Sequence, residues 1–372
     1  MANKKICILS TVHPPFDVRI FHKEAVTLVK AGYEVLLIAP HDKEEIVDGV
    51  RIINLKKPAN RIARMTKTVW SAFWKALKTN ADIYHFHDPE LIPAGLLLRL
   101  FRCKVIYDIH EDYVTSIGQK KYLPVIIKKF LRAFIGWIEV FSSKAFALIL
   151  AEKYYSERFP SGTQILNYPI LDFEDTIENK QNKYDKPNFI YTGVVSTDRG
   201  AYIHANVVNL MPEAEAWLIG NCDKKLASEL YAKVGVNSNR LHIEGVGYFV
   251  PHQIISEYYI RNKWTAGLAL FPPTEHYEKK ELTKFFEYMA AGIPIIASNF
   301  PTWKRVIEGA QCGLCVNPLD PKAIADAMRW IVEHPEEMER MRLNGRRAVE
   351  EKFNWDKESF KLLEFYQRVI KA

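Results

Sequence analysis

Short apolar runs alternate with amphipathic helical stretches along most of this chain, and the alternation breaks once and then restarts. The opening residues read strand, helix, strand: KICILST, then FHKEAVTLVKAGY closed by Gly32, then YEVLLIAP. A basic amphipathic stretch over 60–79 follows, then strand patterns in ADIYHFHD and KVIYDIH, then helical pattern through 121–158. Residues 171–188, LDFEDTIENKQNKYDKPN, are polar, rich in charge and Asn, and without apolar periodicity. Such a stretch reads as an interdomain linker. The rhythm then resumes with NFIYTG, EAWLIG, RLHIEGV, TAGLALF and IPIIAS as strands. Repeated β–α units bury parallel sheets between layers of helices. The expected fold class is therefore α/β: two Rossmann-like domains, 1–170 and 189–355, facing a central cleft. Ligands of such sheets sit at the carboxyl ends of the strands. FNWD reads as a break before a last helix over 356–372, with Asn354 or Asp356 as its cap.

Bulk properties narrow the class. A chain of 372 residues, 48% hydrophobic and 26% charged, is long enough for two globular domains. No apolar run reaches the length needed to span a bilayer. MANKKICILST passes directly into a strand pattern without the apolar core of a signal peptide, so a cytoplasmic location is expected. Cys312 and Cys315 form a C-x-x-C, but neither a second pair nor nearby histidines accompany it. They read as small residues flanking a loop glycine rather than as a redox or zinc site.

Charge is unevenly placed. Residues 1–171 hold 25 Lys and Arg against 16 Asp and Glu, whereas the remainder holds 26 against 28. The basic half calls for an anionic partner, either a membrane surface or a phosphorylated acceptor. Within 60–79, Arg61, Arg64, Lys67, Lys75 and Lys78 flank an apolar side containing Trp70 and Trp74. A second cluster holds Lys120, Lys121, Lys128, Lys129 and Arg132. Interfacial helices and ordinary helices with a solvated face both look like this. Nucleic acid is not an expected partner, since no helix-turn-helix, zinc finger or RNA-binding signature is present.

The chemistry-bearing motifs follow strands. HPPFDVRIFHKEA places Asp17 and Arg19 at a helix start, where Asp17 suits either a ligand contact or an N-cap. HFHDPEL supplies His87 and Asp88, and YDIHEDY supplies Asp108, His110 and Glu111. In YTGVVSTDRG, Gly193 ends a strand and Arg199 precedes a helix, a geometry suited to an anion. TKFFEYMAAGIPIIAS packs helix, turn and strand together, with Gly292 and Pro294 stopping the helix.

This last string, with Lys284 and Glu287, resembles the nucleotide-sugar signature of retaining GT-B glycosyltransferases, and in particular glycosyltransferase family 4. The resemblance implies that Glu287 holds the donor ribose, Arg199 and Lys284 neutralise the diphosphate beside Gly193, and His110 lines the donor-sugar pocket. Backbone groups at Val246 and Gly247 would read the base, and Asp17, Arg19, His87 and Asp88 would lie on the acceptor side. The family's ending implies that the last helix returns to the first domain. It further implies a UDP- or GDP-linked sugar as donor, a glycan or lipid-linked acceptor, and no cofactor or bound metal. The family pattern has a second glutamate eight positions before Glu287, where this chain has Lys279. Glu275, Glu278 and Glu281 stand nearby. The expected function is a retaining glycosyltransferase of cell-surface polysaccharide assembly. The alternatives are a nucleotide-sugar epimerase of the same fold or a noncatalytic membrane-associated partner. A dinucleotide oxidoreductase is disfavoured, because no G-x-G-x-x-G follows the first strand.

Overall fold

The computed structural model describes residues 4–119, 124–171, 186–261 and 264–372. Most of the linker expected at 171–188 lies outside the described residues, as do Lys120 and Lys121. The chain divides into two units, Met1–Asn167 with Trp355–Ala372, and Tyr168–Asn354.

In the first unit, strands β1 (Lys5–Leu9), β2 (Glu34–Pro40), β3 (Glu45–Val47), β4 (Val50–Leu55), β5 (Ile83–Phe86), β6 (Lys104–Ile109), β7 (Ala147–Leu150) and β8 (Thr163–Gln164) form one sheet. Its order is β3-β4-β2-β1-β5-β6-β7-β8, and only the β3–β4 pair is antiparallel. That hairpin turns at Asp48-Gly49, both with positive φ, the pairing a two-residue hairpin favours. The inner strands are buried, so they read as continuous apolar runs rather than alternating ones.

A π-helical segment, Val18–Ala25, runs into α1 (Val26–Lys30); α2 (Arg61–Ala63) reaches α3 (Val69–Lys78) through a π-helical turn; α4 (Ile92–Leu100), α5 (Tyr113–Gln119) and α6 (Val125–Ser143) follow. One core lies between the sheet and α3 and α4, where Phe73 and Leu98 meet Tyr84, Phe86 and Tyr107. The stretch 121–158, expected as helical, also contains β7. There Ser142 and Ser143 bond back to the carbonyls of Ile138 and Val140, and the helix stops before the short run ALIL.

The C-terminal helix, Trp355–Lys371, belongs to this unit. Leu166 N donates to buried Glu358 at 2.8 Å, Trp355 Nε1 donates to Thr27 Oγ1 at 3.0 Å, and Tyr366 Oη lies 2.7 Å from His85 Nδ1.

In the second unit, β9 (Asn188–Thr192), β10 (Glu215–Cys222), β11 (Leu241–Val246), β12 (Ala266–Ala269), β13 (Ile295–Ser298) and β14 (Gly313–Val316) form an all-parallel sheet in the order β11-β10-β9-β12-β13-β14. Its helices are α7 (Ala201–Leu210), α8 (Lys224–Val234), α9 (His252–Arg261), α10 (Glu275–Glu278), α11 (Thr283–Ala290), α12 (Pro301–Ile307), α13 (Pro321–Glu333) and α14 (Pro335–Glu351). Helix α11 ends as its sequence demands. Gly292 is left-handed, Ile293 N returns to the Tyr288 carbonyl at 2.8 Å, and β13 begins immediately after Pro294. Cys312 and Cys315 flank the start of β14, and burial pushes both thiols up to about 12, the reverse of a reactive pair.

The ends of β9 and β10 approach unusually closely. A Cβ on Gly220 would lie 2.0 Å from the Gly193 carbonyl oxygen. Backbone meets backbone here, so no side-chain rotation relieves the clash. Gly220→Ala is therefore expected to cost about 1–3 kcal/mol and lower the thermal midpoint, read by calorimetry. An unchanged midpoint would show that the two strand ends separate without penalty.

Candidate active site

At the carboxyl end of β9 the backbone turns at Gly193, whose φ is +100° and whose N–H is held by the Ile219 carbonyl at 2.9 Å. The following loop reaches Gly200, left-handed, and α7 starts with no side-chain cap. Two cations close on the bare glycine. A Cβ at Gly193 would lie 3.8 Å from Lys284 Nζ and 3.9 Å from Arg199 Nη1. Sequence positions 193, 199 and 284 thus come together at one strand end.

Arg199 is fixed from the side: its Nε donates to Tyr277 Oη at 3.2 Å, and that hydroxyl donates to Asp198 at 3.0 Å. Lys284 is held differently. Its ammonium lies 3.7 Å from the centre of the Tyr191 ring and 4.9 Å from that of Phe271. It is buried, and Nζ has no hydrogen-bond partner among the described residues. Burial first, and repulsion from Arg199 second, hold its pKa well below the ordinary lysine value, with Glu287 opposing. His204 stacks on the same Tyr191 ring at 4.2 Å and accepts from Leu270 N at 2.9 Å. That bond fixes a neutral ring, and burial agrees by depressing its pKa.

Glu287 lies three residues beyond Lys284 on α11. It accepts from Tyr259 Oη at 3.0 Å and meets His252 Nε2 at 3.3 Å. Tyr259 in turn lies 2.7 Å from Thr192 Oγ1, which ties the carboxylate to the end of β9. Gly247 gives its N–H to the Cys222 carbonyl at 2.8 Å. Val246 pairs with Cys222 at the end of β11. Of the glutamates near Lys279, Glu275 and Glu278 are exposed and Glu281 is buried.

In the first unit, β1, β5 and β6 are neighbours, and the loops beyond them converge. Asp88 Oδ2 accepts from Ser10 Oγ at 2.9 Å and Thr11 N at 2.7 Å, clamping the loop after β1. Asp17 takes the capping alternative, accepting from Arg19 N and Ile20 N at 2.9 and 3.0 Å. Arg19 is buried, with Nε 2.8 Å from Asp108 and 3.1 Å from Glu24. His87 lies between the same carboxylates at 3.4 and 3.5 Å. Arg19, His87 and Asp88, expected on the acceptor side, are thus turned inward. Asp88 Oδ2 and Arg19 Nε hold the loops, whereas both ring nitrogens of His87 are buried without a hydrogen-bond partner among the described residues.

His110 faces a residue the sequence reading passed over. Its Nε2 lies 3.0 Å from His13 Nε2. Burial opposes charge on His13, but Asp17 and Asp88 outweigh it and raise its pKa. Burial, with Asp108 opposing and His87 and His13 repelling, pushes His110 down to about 4. A 3.0 Å contact between two ring nitrogens needs one proton between them, and the opposite shifts favour His13 as its donor.

Among the described residues, two groups have donor atoms close enough for a metal. In Glu24, His85, His87 and Asp108 the Arg19 guanidinium already supplies the compensating charge. His13, His110 and Glu111 could hold a divalent ion, in competition with the shared proton.

Known proteins place this arrangement. The model of Glycosyltransferase Family 4 matches residues 18–153, and that of Glycosyl transferases group 1 matches residues 282–348. Spore coat protein SA of Bacillus subtilis is 33% identical over 84 residues, a stretch spanning 22% of this chain and 22% of that protein. Sucrose-phosphate synthase from Thermosynechococcus elongatus superposes with a TM-score of 0.79 at 18% identity, covering 100% of both chains. The Anabaena protein HepE in complex with UDP-glucose gives a TM-score of 0.73 at 12% identity, covering 98% of this chain and 99% of that one. With a glycosyltransferase family model on each unit and a shared fold along its length, the chain belongs to the GT-B glycosyltransferases of the family 4 type.

Proposed function

We propose that this protein transfers a hexose-type sugar from a UDP- or GDP-linked donor, with retention of configuration, to a glycan or lipid-linked acceptor in cell-surface polysaccharide assembly. In this reading it works in the cytoplasm, its basic first unit meeting the inner membrane face. The observation that carries it is the convergence of Arg199 and Lys284 on Gly193, with Glu287 one turn along α11. The UDP-glucose bound by HepE supports a nucleotide sugar as the ligand class.

The chemistry asks most of the groups around the leaving diphosphate. The bond from the anomeric carbon to the phosphate oxygen breaks, and the electron pair leaves with the nucleoside diphosphate. The acceptor hydroxyl forms the new bond on the same face and gives its proton to the departing oxygen. Arg199 offers a planar fork of donors held by Tyr277, and Lys284 offers a buried amine that takes up its proton as the diphosphate arrives. Glu287 accepts from the ribose hydroxyls, and His110 hydrogen-bonds the transferred sugar.

Thermal stabilisation by UDP-, GDP- and ADP-sugars tests the reading. One donor is expected to raise the wild-type midpoint and leave that of Glu287→Ala unmoved. Stabilisation without turnover on any acceptor would favour a noncatalytic partner, conversion of the donor alone an epimerase, and no shift with any donor would overturn the site.

Lys284 also dictates a pH dependence. The folded pKa lies below that of the unfolded chain, so the unfolded chain binds a proton that the empty folded site resists. At neutral pH this opposes folding, and Lys284→Met is expected to raise the donor-free midpoint while abolishing the donor-induced shift. A diphosphate favours the ammonium, so donor binding takes up a proton and weakens as pH rises above the depressed pKa. Calorimetric titrations in buffers of different ionisation heat measure that uptake. Equal apparent heats would show a lysine already charged.

A further inference from the structure

The outer surface of the first unit shows a pattern that donor chemistry does not use. Helix α4 packs between α3 and α6. In residues 61–78, 92–104 and 125–144, which hold these three helices, the only carboxylate is Glu139. Glu139 is buried and bonded to Arg158 Nη2 at 2.8 Å. Lys67, Lys78, Arg99, Arg102, Lys129 and Lys144 are all exposed there.

Between the cations the surface is apolar. Helix α6 turns Ile126, Phe130, Phe134, Trp137 and Phe141 outward, spaced by fours and a three so that they lie along one stripe. Their exposures run from 48% to 83%, the wrong side out for a helix meeting water. Phe130 stacks on Phe134 and Trp137 on Phe141, with ring centres 5.9 and 5.5 Å apart, so the stripe is a continuous aromatic ridge. Trp70 and Trp74 of α3, and Leu100 and Phe101 at the end of α4, are exposed as well. The helix towards its own unit buries Glu139, Ser142 and Ser143 instead. No helix among the described residues is long and apolar enough to cross a membrane.

We infer that the α3–α4–α6 face docks on an anionic bilayer, with the α6 ridge inserted at the boundary between headgroups and acyl chains. A surface with seven exposed basic residues and no exposed carboxylate in those segments is complementary to acidic headgroups. Aromatic side chains match the interfacial depth. A second copy of the chain would instead bring basic rim against basic rim. The inference deepens the membrane part of the proposed function and is independent of the donor site.

The test uses the whole protein without donor, in flotation with phosphatidylcholine vesicles containing or lacking phosphatidylglycerol. Binding is expected with the anionic lipid alone, weakening as salt rises. The combined change Phe130→Ser, Trp137→Ser and Phe141→Ser is expected to lower partitioning at least about tenfold, and Lys129→Glu with Lys144→Glu to remove the preference for anionic lipid. These side chains are exposed, so a donor-induced thermal shift kept in both variants would show that each still folds. A wild type that stays with the aqueous fraction at low salt overturns the inference. So does a concentration-dependent dimer, seen by sedimentation, that the serine variant abolishes. Membrane binding without donor stabilisation would sink the donor site and leave this face standing.

Discussion

Two basic side chains sit against one bare strand end, and among the described residues only Arg199 has a hydrogen-bond partner. Arg199 is steadied by Tyr277 and Asp198, whereas Lys284 rests on the faces of Tyr191 and Phe271. A cation over aromatic rings recovers part of the lost hydration, but a buried ammonium without a hydrogen bond is still costly. The surrounding architecture keeps it there. Gly193 and Gly220 exclude side chains from the strand ends, Tyr288 and Tyr259 brace the end of β9, and α11 carries Lys284 and Glu287 on successive turns. An arrangement that is unfavourable by itself and relieved by an anion is what a site selective for diphosphate requires.

The first unit solves the opposite problem. Its charges are buried too, but they are matched. Arg19 bridges Glu24 and Asp108, and burial with Asp108 raises the pKa of Glu24, so the carboxylates need not both be charged. This cluster fixes the ends of β1, β5 and β6. It leaves one feature at the rim, the His13–His110 pair, whose proton is placed by Asp17 and Asp88. The order runs from buried ion pairs, to loop geometry, to the protonation of two histidines.

The β–α rhythm was legible in the sequence because each unit carries its own periodicity, and TKFFEYMAAGIPIIAS encodes a helix end within a few residues. Lys284 and Glu287 were legible for the same reason, since their spacing on one helix is a local property. His13, Tyr259 and Gly220 were not. Each gains its role from a neighbour distant in sequence: His110 for His13, Glu287 for Tyr259, Gly193 for Gly220. Arg19, His87 and Asp88 were placed at the right strand ends, but their burial was not legible. Sequence position fixes the loop and leaves open whether a polar side chain faces ligand or a buried partner. Strand β7 was hidden because ALIL follows a long helical pattern, and an apolar run of that length has no period of its own.

The helix at 125–143 carries the same lesson further. Its apolar spacing suits a core-facing helix and an interfacial one alike, and the sequence leaves open which way the stripe turns. In the structure the stripe points out, and the inner side presents Glu139 to Arg158 and two serines to the helix's own carbonyls. That inversion costs the unit apolar burial it had residues to achieve. A sheet already covered by α3 and α4 has no need of a further aromatic layer, so the ridge is surplus to folding. Surplus apolar surface persists where something other than the core receives it. With every exposed charge in these three helical segments positive, the receiving phase is apolar beneath and anionic at its surface.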